Sequence, residues 1–364
     1  MRPGQRYLFG RVKKQGIFQA IDHKHVSRRQ FVIEVSKVDD GDGARLHTRS
    51  KITVIDEKSK SGTRVDSEQL QGTSKELKNT EHVVRLGQYP HTLIIKWHPI
   101  CLSFFLTAKE KKTDALASKR ALLEPFDIKA IEDFVMDQTT YVVAAKRNTV
   151  PGLQALISRK HIVDSSYIDS LIFATTPEDL DGEENLTPLE KDFDGAWPDP
   201  TRYLPPSGKE PTMKPPEAYR PDQSREAMFE GWTFVFLESG QYDTLLPAIT
   251  TGQGKALLFN LEPEKTTADE LVSYMQNCAG EKDFGSFAQS TDSGGVIMVK
   301  PTLKSNIAAW REDLINQVAV KLNQKYIDQA DFLDAILSND VSALRKSVPY
   351  ESFAETTTPA PVGM

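Results

Sequence analysis

Four short clusters in the amino-terminal quarter of the chain hold the residue types that an oxyanion site requires. In order they are Gly10-Arg11, then Ser27-Arg28-Arg29-Gln30, then the run from Asp56 through Lys58, Ser59, Lys60, Ser61, Gly62 and Thr63 to Val65, and then Arg85-Leu86-Gly87. A guanidinium offers a planar fork that matches two phosphate oxygens, and serine hydroxyls add short donors. Arg11, Ser27, Arg28 and Lys60 are therefore the candidate phosphate contacts, with Ser61 and Gly62 on the same loop. Charge points the same way: Met1 to Asp66 carries 15 Lys or Arg against 8 Asp or Glu, although the whole chain has a net charge of -6. A basic block attracts anions, and nucleic acid and phosphopeptide are the two classes to separate. A phosphothreonine, with about -1.5 to -2 charges and three strong acceptor oxygens, suits two-point guanidinium contact from rigidly held loops.

Other chemistries lack their residues. Gly252-Gln253-Gly254-Lys255-Ala256 has neither the glycine spacing of a phosphate loop nor a Ser or Thr after the lysine, so it reads as a turn before a strand. His23 and His25 flank Lys24 without a third ligand, and Cys101 and Cys278 alone make neither a disulfide framework nor a four-ligand zinc site. No nucleophile-elbow, zincin or kinase signature occurs, so no enzyme activity, cofactor or metal is expected. The most apolar stretch, Leu93 to Leu106, is broken by Lys96 and His98 and falls short of the roughly 20 residues of a membrane helix. Met1 leads into Arg2, Pro3 and Gly4 without an apolar segment of a secretory signal, and a reducing, intracellular setting without membrane partners is expected.

The elements that must position these residues fall into several modules. At 39% hydrophobic and 26% charged, with 364 residues, the chain has room for two or three domains. Short β-branched and aromatic runs at Tyr7–Phe9, Phe31–Val35, Ile52–Ile55, Val83–Leu86 and Thr92–Trp97 predict an all-β sandwich over residues 1–99. Asp39 to Gly43 reads as a turn or exposed loop. Residues 100–177 then alternate strands (Ile100–Leu106, Thr140–Ala145, His161–Val163) with helices (Asp114–Leu123, Val150–Ser158, Ser166–Phe173), which predicts an α/β domain with a parallel sheet. Residues 178–225 read as a linker. It is acidic first, with 8 carboxylates against Lys191 between Glu178 and Asp194, then carries 8 prolines from Gly195 to Pro221. Its Phe193, Trp197, Tyr203 and Tyr219 are expected to lie on neighbouring domains. A second α/β domain is expected over 226–347, with strands at Trp232–Leu237, Ala256–Asn260 and Gly295–Lys300. Its helices include one in which Ile307, Trp310, Leu314, Val318 and Leu322 share a face. Residues 348–364 read as a flexible tail.

The order of the four amino-terminal clusters resembles the forkhead-associated (FHA) family, whose pattern is Gly-Arg, Ser-Arg-x-His, Ser-x-Asn-Gly-Thr and Leu-Gly. The resemblance implies that Arg11 and Ser27 grip a phosphothreonine, that Arg28 contacts phosphate or peptide backbone, that Lys60 adds a phosphate contact, and that Ser61 stands at the position that usually bonds the peptide main chain. Lys58, Lys60 and Arg64 are the residues placed to meet acidic neighbours of the phosphothreonine. Gln30 departs from the family histidine, so either its amide supplies similar hydrogen bonds or the loop is reshaped. The α/β domains resemble BRCT domains, with Tyr167 and Phe332 where that family often carries Trp. The possible BRCT phosphate contacts are Thr107 and Lys146.

One FHA domain followed by two BRCT domains is similar to the nibrin family, on Tyr7-Leu8-Phe9-Gly10-Arg11, Val26-Ser27-Arg28 and Gly231-Trp232-Thr233-Phe234-Val235-Phe236-Leu237. That resemblance implies a non-enzymatic, nuclear adaptor of double-strand-break repair that acts at breaks and telomeres. Its implied partners are phosphorylated repair proteins: a CtIP-like nuclease co-factor, and mediator proteins with Ser/Thr-Asp repeats. In that family the break-repair nuclease and the ATM/Tel kinase are recruited by a carboxy-terminal tail, and this chain is expected to be an amino-terminal fragment without it. The alternative is a direct DNA-binding scaffold that uses the basic amino-terminal surface.

Overall fold

Alternation of buried and exposed side chains builds the first domain. A computed structural model describes residues 1–13, 17–106, 108–147, 149–177, 185–207, 213–279, 294–302 and 308–348. One sheet of the first domain has the order β2-β1-β3-β4-β7, from β1 (Arg6–Gly10), β2 (Gln19–Ala20), β3 (Phe31–Val35), β4 (Ile52–Asp56) and β7 (Ser74–Leu77). The other has the order β6-β5-β8-β9, from β5 (Thr63–Val65), β6 (Glu68–Leu70), β8 (Glu81–Leu86) and β9 (Leu93–Lys96). All pairings are antiparallel except β1 with β2. Phe9, Phe31, Ile33, Val54, Val65, Val84 and Leu86 form the core between the sheets, with the rings of Phe9 and Phe31 stacked at 4.6 Å. Burial of such side chains stabilises each by about 1.5–3 kcal/mol, which makes the sandwich a rigid base for the loops at its end.

The chain divides into two compact bodies, Met1–Ala145 with Val163–Tyr203, and Lys146–Ile162 with the chain from Leu204. In the first, β10 (Cys101–Phe104) lies between β11 (Lys129–Ile131) and β12 (Tyr141–Val143), all parallel, after which come α1 (Ala108–Lys112) and α2 (Ala115–Leu123) in the connection. The sheet is closed by β13 (His161–Val163), whose Val163 carbonyl accepts from the Ala144 N–H at 3.0 Å. Tyr167 of α4 (Ser166–Thr175) is fully buried here, with ring contacts to Tyr141 and Tyr203.

The described part of the 178–225 stretch is not a free spacer. Thr187 caps α5 (Pro188–Lys191) through a reciprocal capping box with Glu190, and Asp192 caps α6 (Phe193–Ala196). Trp197 and Tyr203 join the first α/β core, and Ser170 donates to the Tyr203 hydroxyl at 2.6 Å. These caps sit in runs with no apolar period, which is why hydrophobic patterning alone reads the segment as extended.

The Asp39–Gly43 loop also does more than turn. Asp42 and Gly43 are buried, and the Gly41 and Gly43 N–H groups donate to the Glu124 carboxylate at 2.9 and 3.2 Å. A Cβ on Gly43 would fall 2.7 Å from that carboxylate. Nearby, Asp127 accepts from the Ser50 N–H at 2.6 Å and pairs with the buried Lys129 at 2.8 Å. Backbone N–H groups of the first domain thus meet carboxylates of the first α/β segment.

In the second body, β14 (Trp232–Phe236) runs parallel between β15 (Lys255–Leu258) and β16 (Gly295–Val299). Helices α3 (Val150–Ile157), α7 (Ser239–Thr251) and α10 (Asp331–Ser338) pack together. On the other side α8 (Ala268–Ala279) packs on α9 (Ala308–Leu322), whose Leu314, Val318 and Leu322 line the core as the spacing predicts. Ile307, in the same spacing, lies outside the described residues. Gly252 and Gly254 form the expected turn before β15, and each lies against Phe229, where a Cβ would fall 2.5 Å from its Cδ2 and 2.7 Å from its Cβ respectively. Packing, not phosphate, requires these glycines.

Candidate anion-binding site

The site is assembled from below by one carboxylate. Asp56, at the end of β4, is 3% exposed and accepts from the Ser59 hydroxyl (2.6 Å), the Thr63 hydroxyl (2.8 Å), and the Ser59 and Gly72 N–H groups (3.0 and 2.8 Å). Burial by itself would push its carboxyl up, but the Ser59 hydroxyl, the Gly72 N–H and the Thr63 hydroxyl outweigh that and hold it below the ordinary carboxylate range. The two hydroxyls spend their protons on Asp56 and so present lone pairs to Gln30. The buried Gln30 amide donates towards Ser59 Oγ at 2.8 Å, the Gly62 carbonyl at 3.0 Å and Thr63 Oγ1 at 3.2 Å. Its Oε1 accepts from the Ser27 N–H at 2.7 Å. Gln30 therefore supplies the buttressing hydrogen bonds that the family assigns to histidine.

This relay fixes Ser27 between two neighbours. The Lys60 N–H donates to Ser27 Oγ at 3.0 Å, which leaves the serine proton as a donor to a ligand, and the Arg11 N–H donates to the Ser27 carbonyl at 2.9 Å. Gly10 permits that closeness: a Cβ there would fall 2.0 Å from the Arg28 carbonyl oxygen. Gly62 has φ +72°, and a Cβ on it would meet Gln69 Nε2 at 2.0 Å, so the tight turn after Ser61 requires glycine. The Ser61 hydroxyl donates to the His25 carbonyl at 3.3 Å, and Gly87 packs so closely that a Cβ would fall 2.4 Å from Ser61 Oγ.

Arg11, Ser27, Arg28, Lys60, Ser61 and Gly62 are thus carried on loops tied to one another at one end of the sandwich. Arg28, Lys60 and Ser61 are exposed, while Arg11 and Ser27 are half-buried. Among the described residues no ion pair occupies Arg11, Arg28 or Lys60, whereas Arg29, one residue on, is paired with Glu57 at 2.9 Å. The rings of His23, His25, Tyr89 and His91 form a contiguous row beside these loops, with centroids 5.2 to 5.4 Å apart. No group of three metal-ligating side chains occurs among the described residues.

Thr107 lies outside the described residues. Lys146 is exposed between β12 and α3, and its carbonyl accepts from the Thr149 hydroxyl at 3.4 Å. The residue that sequence reasoning missed is Asp56. An aspartate at the head of a turn is a common turn residue, and that local pattern does not reveal that this one is buried.

The family model of the FHA domain matches residues 7–87, and that of the second BRCT domain on Nijmegen syndrome breakage protein matches residues 223–347. Nibrin of Gallus gallus is 25% identical over 271 residues, which cover 72% of this chain. The chain is similar to the nibrin family at both matched regions. It spans about a third (32%) of the length of that curated relative. The S. pombe Nbs1 FHA-BRCT1-BRCT2 domains share the fold, with a TM-score of 0.51 at 16% identity over 88% of this chain and 91% of that one. The all-β domain followed by two parallel-sheet α/β domains is therefore the nibrin-family arrangement.

Proposed function

We propose that this chain is a non-enzymatic, phospho-dependent adaptor of double-strand-break repair. It divides as 1–99 for the FHA domain, 100–177 and 226–347 for the BRCT domains, and 178–225 for the linker. The FHA domain reads phosphothreonine followed by acidic residues: Arg11 and Ser27 grip the phosphate with a further contact from Lys60, Arg28 meets phosphate or peptide backbone, and Ser61, beside Gly62, meets the peptide main chain. In this role the chain recruits phosphorylated partners, of the kind represented by a CtIP-like nuclease co-factor or a mediator with Ser/Thr-Asp repeats, to breaks in the nucleus.

The observation that carries this reading is the Asp56–Gln30–Ser27 relay. A buried carboxylate organises two loops while their arginine, lysine and serine groups remain unpaired by protein charge. A doubly charged ester placed there gains charge-assisted hydrogen bonds without displacing an internal partner. Affinity from one such group and a few backbone contacts is on the order of micromolar, and repeated phosphosites add avidity.

The test is a calorimetric titration of the chain with a diphosphorylated Thr-Asp peptide, the same peptide unmodified, and a DNA duplex. The adaptor binds the phosphopeptide at least roughly tenfold more tightly, and Arg28→Ala or Arg11→Ala removes the preference. Equal affinity for the two peptides would defeat the adaptor. A steep salt slope for the duplex, with no phosphate preference, would favour the DNA scaffold.

A further inference from the structure

The outer face of the second FHA sheet carries an arrangement that costs stability and has no internal use. Across β5 and β8, Arg64 stands directly opposite Arg85, and both are exposed. Like charges facing each other across an antiparallel pair are destabilising. The other facing charges in this sandwich are complementary: Arg6 opposite Glu34, with 3.6 Å between their charged atoms, and Glu81 opposite Lys96. Among the described residues neither Arg64 nor Arg85 has a carboxylate partner, and the Arg64 guanidinium reaches only Gln69 Oε1, at 3.4 Å. The same face bears Val83 opposite Ile94, and Ile94 is 62% exposed. Two unpaired guanidinium groups therefore adjoin two branched aliphatic side chains.

The face is continuous with the phosphate loops. Arg64 follows Ser61 by three positions, and Arg85 precedes by two the glycine that packs on Ser61. At a strand rise of ~3.3 Å per residue this places the arginine row about 10 Å from Ser61. An extended ligand covers those 10 Å in about three residues, and the step from its phosphate to Ser61 and around the loop edge brings the total to roughly four to six.

We propose that this face is a second subsite, which takes an acidic and apolar extension of the phosphorylated partner four to six residues from its phosphothreonine. The inference rests on the adaptor reading and adds to it the chemistry of the ligand's far end. The paired forks of Arg64 and Arg85 suit carboxylates, which match guanidinium geometry, and Val83 with Ile94 suits an aliphatic side chain two positions away on the ligand. A nucleic-acid backbone would reward the arginines but not the aliphatic pair, and a peptide is therefore the occupant.

Four peptides test it by fluorescence anisotropy: a short phosphothreonine peptide with no acidic residue beside the phosphate, the same peptide lengthened by an Asp/Glu segment containing Leu, and both without phosphate. Each is titrated into the whole chain and into the R64S/R85S variant. The extension tightens binding of the phosphopeptide about fivefold in the parent chain, as expected of two exposed ion pairs, and by less than twofold in the variant. The short phosphopeptide binds both proteins equally. The unphosphorylated extended peptide, at low salt, binds the parent more tightly than the variant. An extension without effect in the parent, or with equal effect in the variant, overturns the subsite. So does a variant whose affinity for a DNA duplex falls while its peptide affinities stand. Failure of the adaptor reading appears separately, as equal binding of the phosphorylated and plain short peptides. The variant removes a repulsion, so its thermal midpoint is expected to be no lower than the parent's, which excludes misfolding as the cause.

Discussion

Two glycine-containing loop systems leave the same sandwich, and they use carboxylates in opposite senses. In the Asp39–Gly43 loop, backbone N–H groups point outward and are filled by Glu124 from the neighbouring α/β segment. In the Ser27–Gln30 and Asp56–Thr63 loops the carboxylate is Asp56, beneath the surface, and the charged and hydroxyl groups above it stay open. A loop rich in N–H donors is therefore no sign of a ligand site when the protein carries its own anion to it. What sets the loops of the candidate site apart is that their internal charge is satisfied from below.

Three substitutions break or sharpen that contrast. Gly10→Ala should have the largest effect, because its methyl has no room beside the Arg28 carbonyl. A loss of stability of about 3 kcal/mol is expected in chemical denaturation, as is the loss of measurable phosphopeptide binding. Asp56→Asn removes the charge that orders both phosphate loops and should cost about 2 kcal/mol near neutral pH, with phosphopeptide affinity lowered roughly tenfold. Asp56 titrates below its ordinary value of 3.8 in the folded chain. Its contribution is therefore complete above that value and is lost as pH falls through the depressed folded value. The stability gap between parent and Asp56→Asn should accordingly narrow in denaturation curves taken under acid conditions, and a gap that stays constant would contradict the role given to the carboxylate. Glu124→Ala should have the smallest effect on binding: about 1–2 kcal/mol less stability from two lost charge-assisted hydrogen bonds, but phosphopeptide affinity within about twofold of the parent. If Glu124→Ala weakened binding as much as Asp56→Asn, the two loop systems would not be independent.

Much of this architecture is legible in the chain. Phe31–Val35 and His161–Val163 form strands with the expected bounds, and Tyr167 and Phe332 are buried as their positions imply. The strands Thr63–Val65, Glu68–Leu70 and Ser74–Leu77 are hidden, because each is short and turns polar side chains outward with only one or two buried positions. Lys129–Ile131 is hidden for a different reason: its buried lysine contradicts a core strand until Asp127 is seen to pair with it. At the site, residue types and order pointed to Arg11, Ser27, Arg28 and Lys60, and hydrogen bonds from Gln30 are one of the two outcomes that its replacing a histidine leaves open. The part played by Asp56 was not legible, since an aspartate next to Glu57, Lys58 and Lys60 reads as solvated surface until its burial is known. The opposition of Arg64 and Arg85 depends on strand register, which local pattern does not determine.

The contact between Glu190 and the first strand bears on how the chain is made. The buried Glu190 carboxylate takes the Tyr7 hydroxyl and, at 3.1 Å, the Arg2 guanidinium. Tyr7 and Glu190 are 183 residues apart. At about 5–20 residues per second of synthesis, a ribosome that has released Tyr7 delivers Glu190 only roughly 10–40 s later. Throughout that interval the strand that leads to Arg11 exists without its last fastening, and the nascent FHA domain must persist on its own core until the linker arrives.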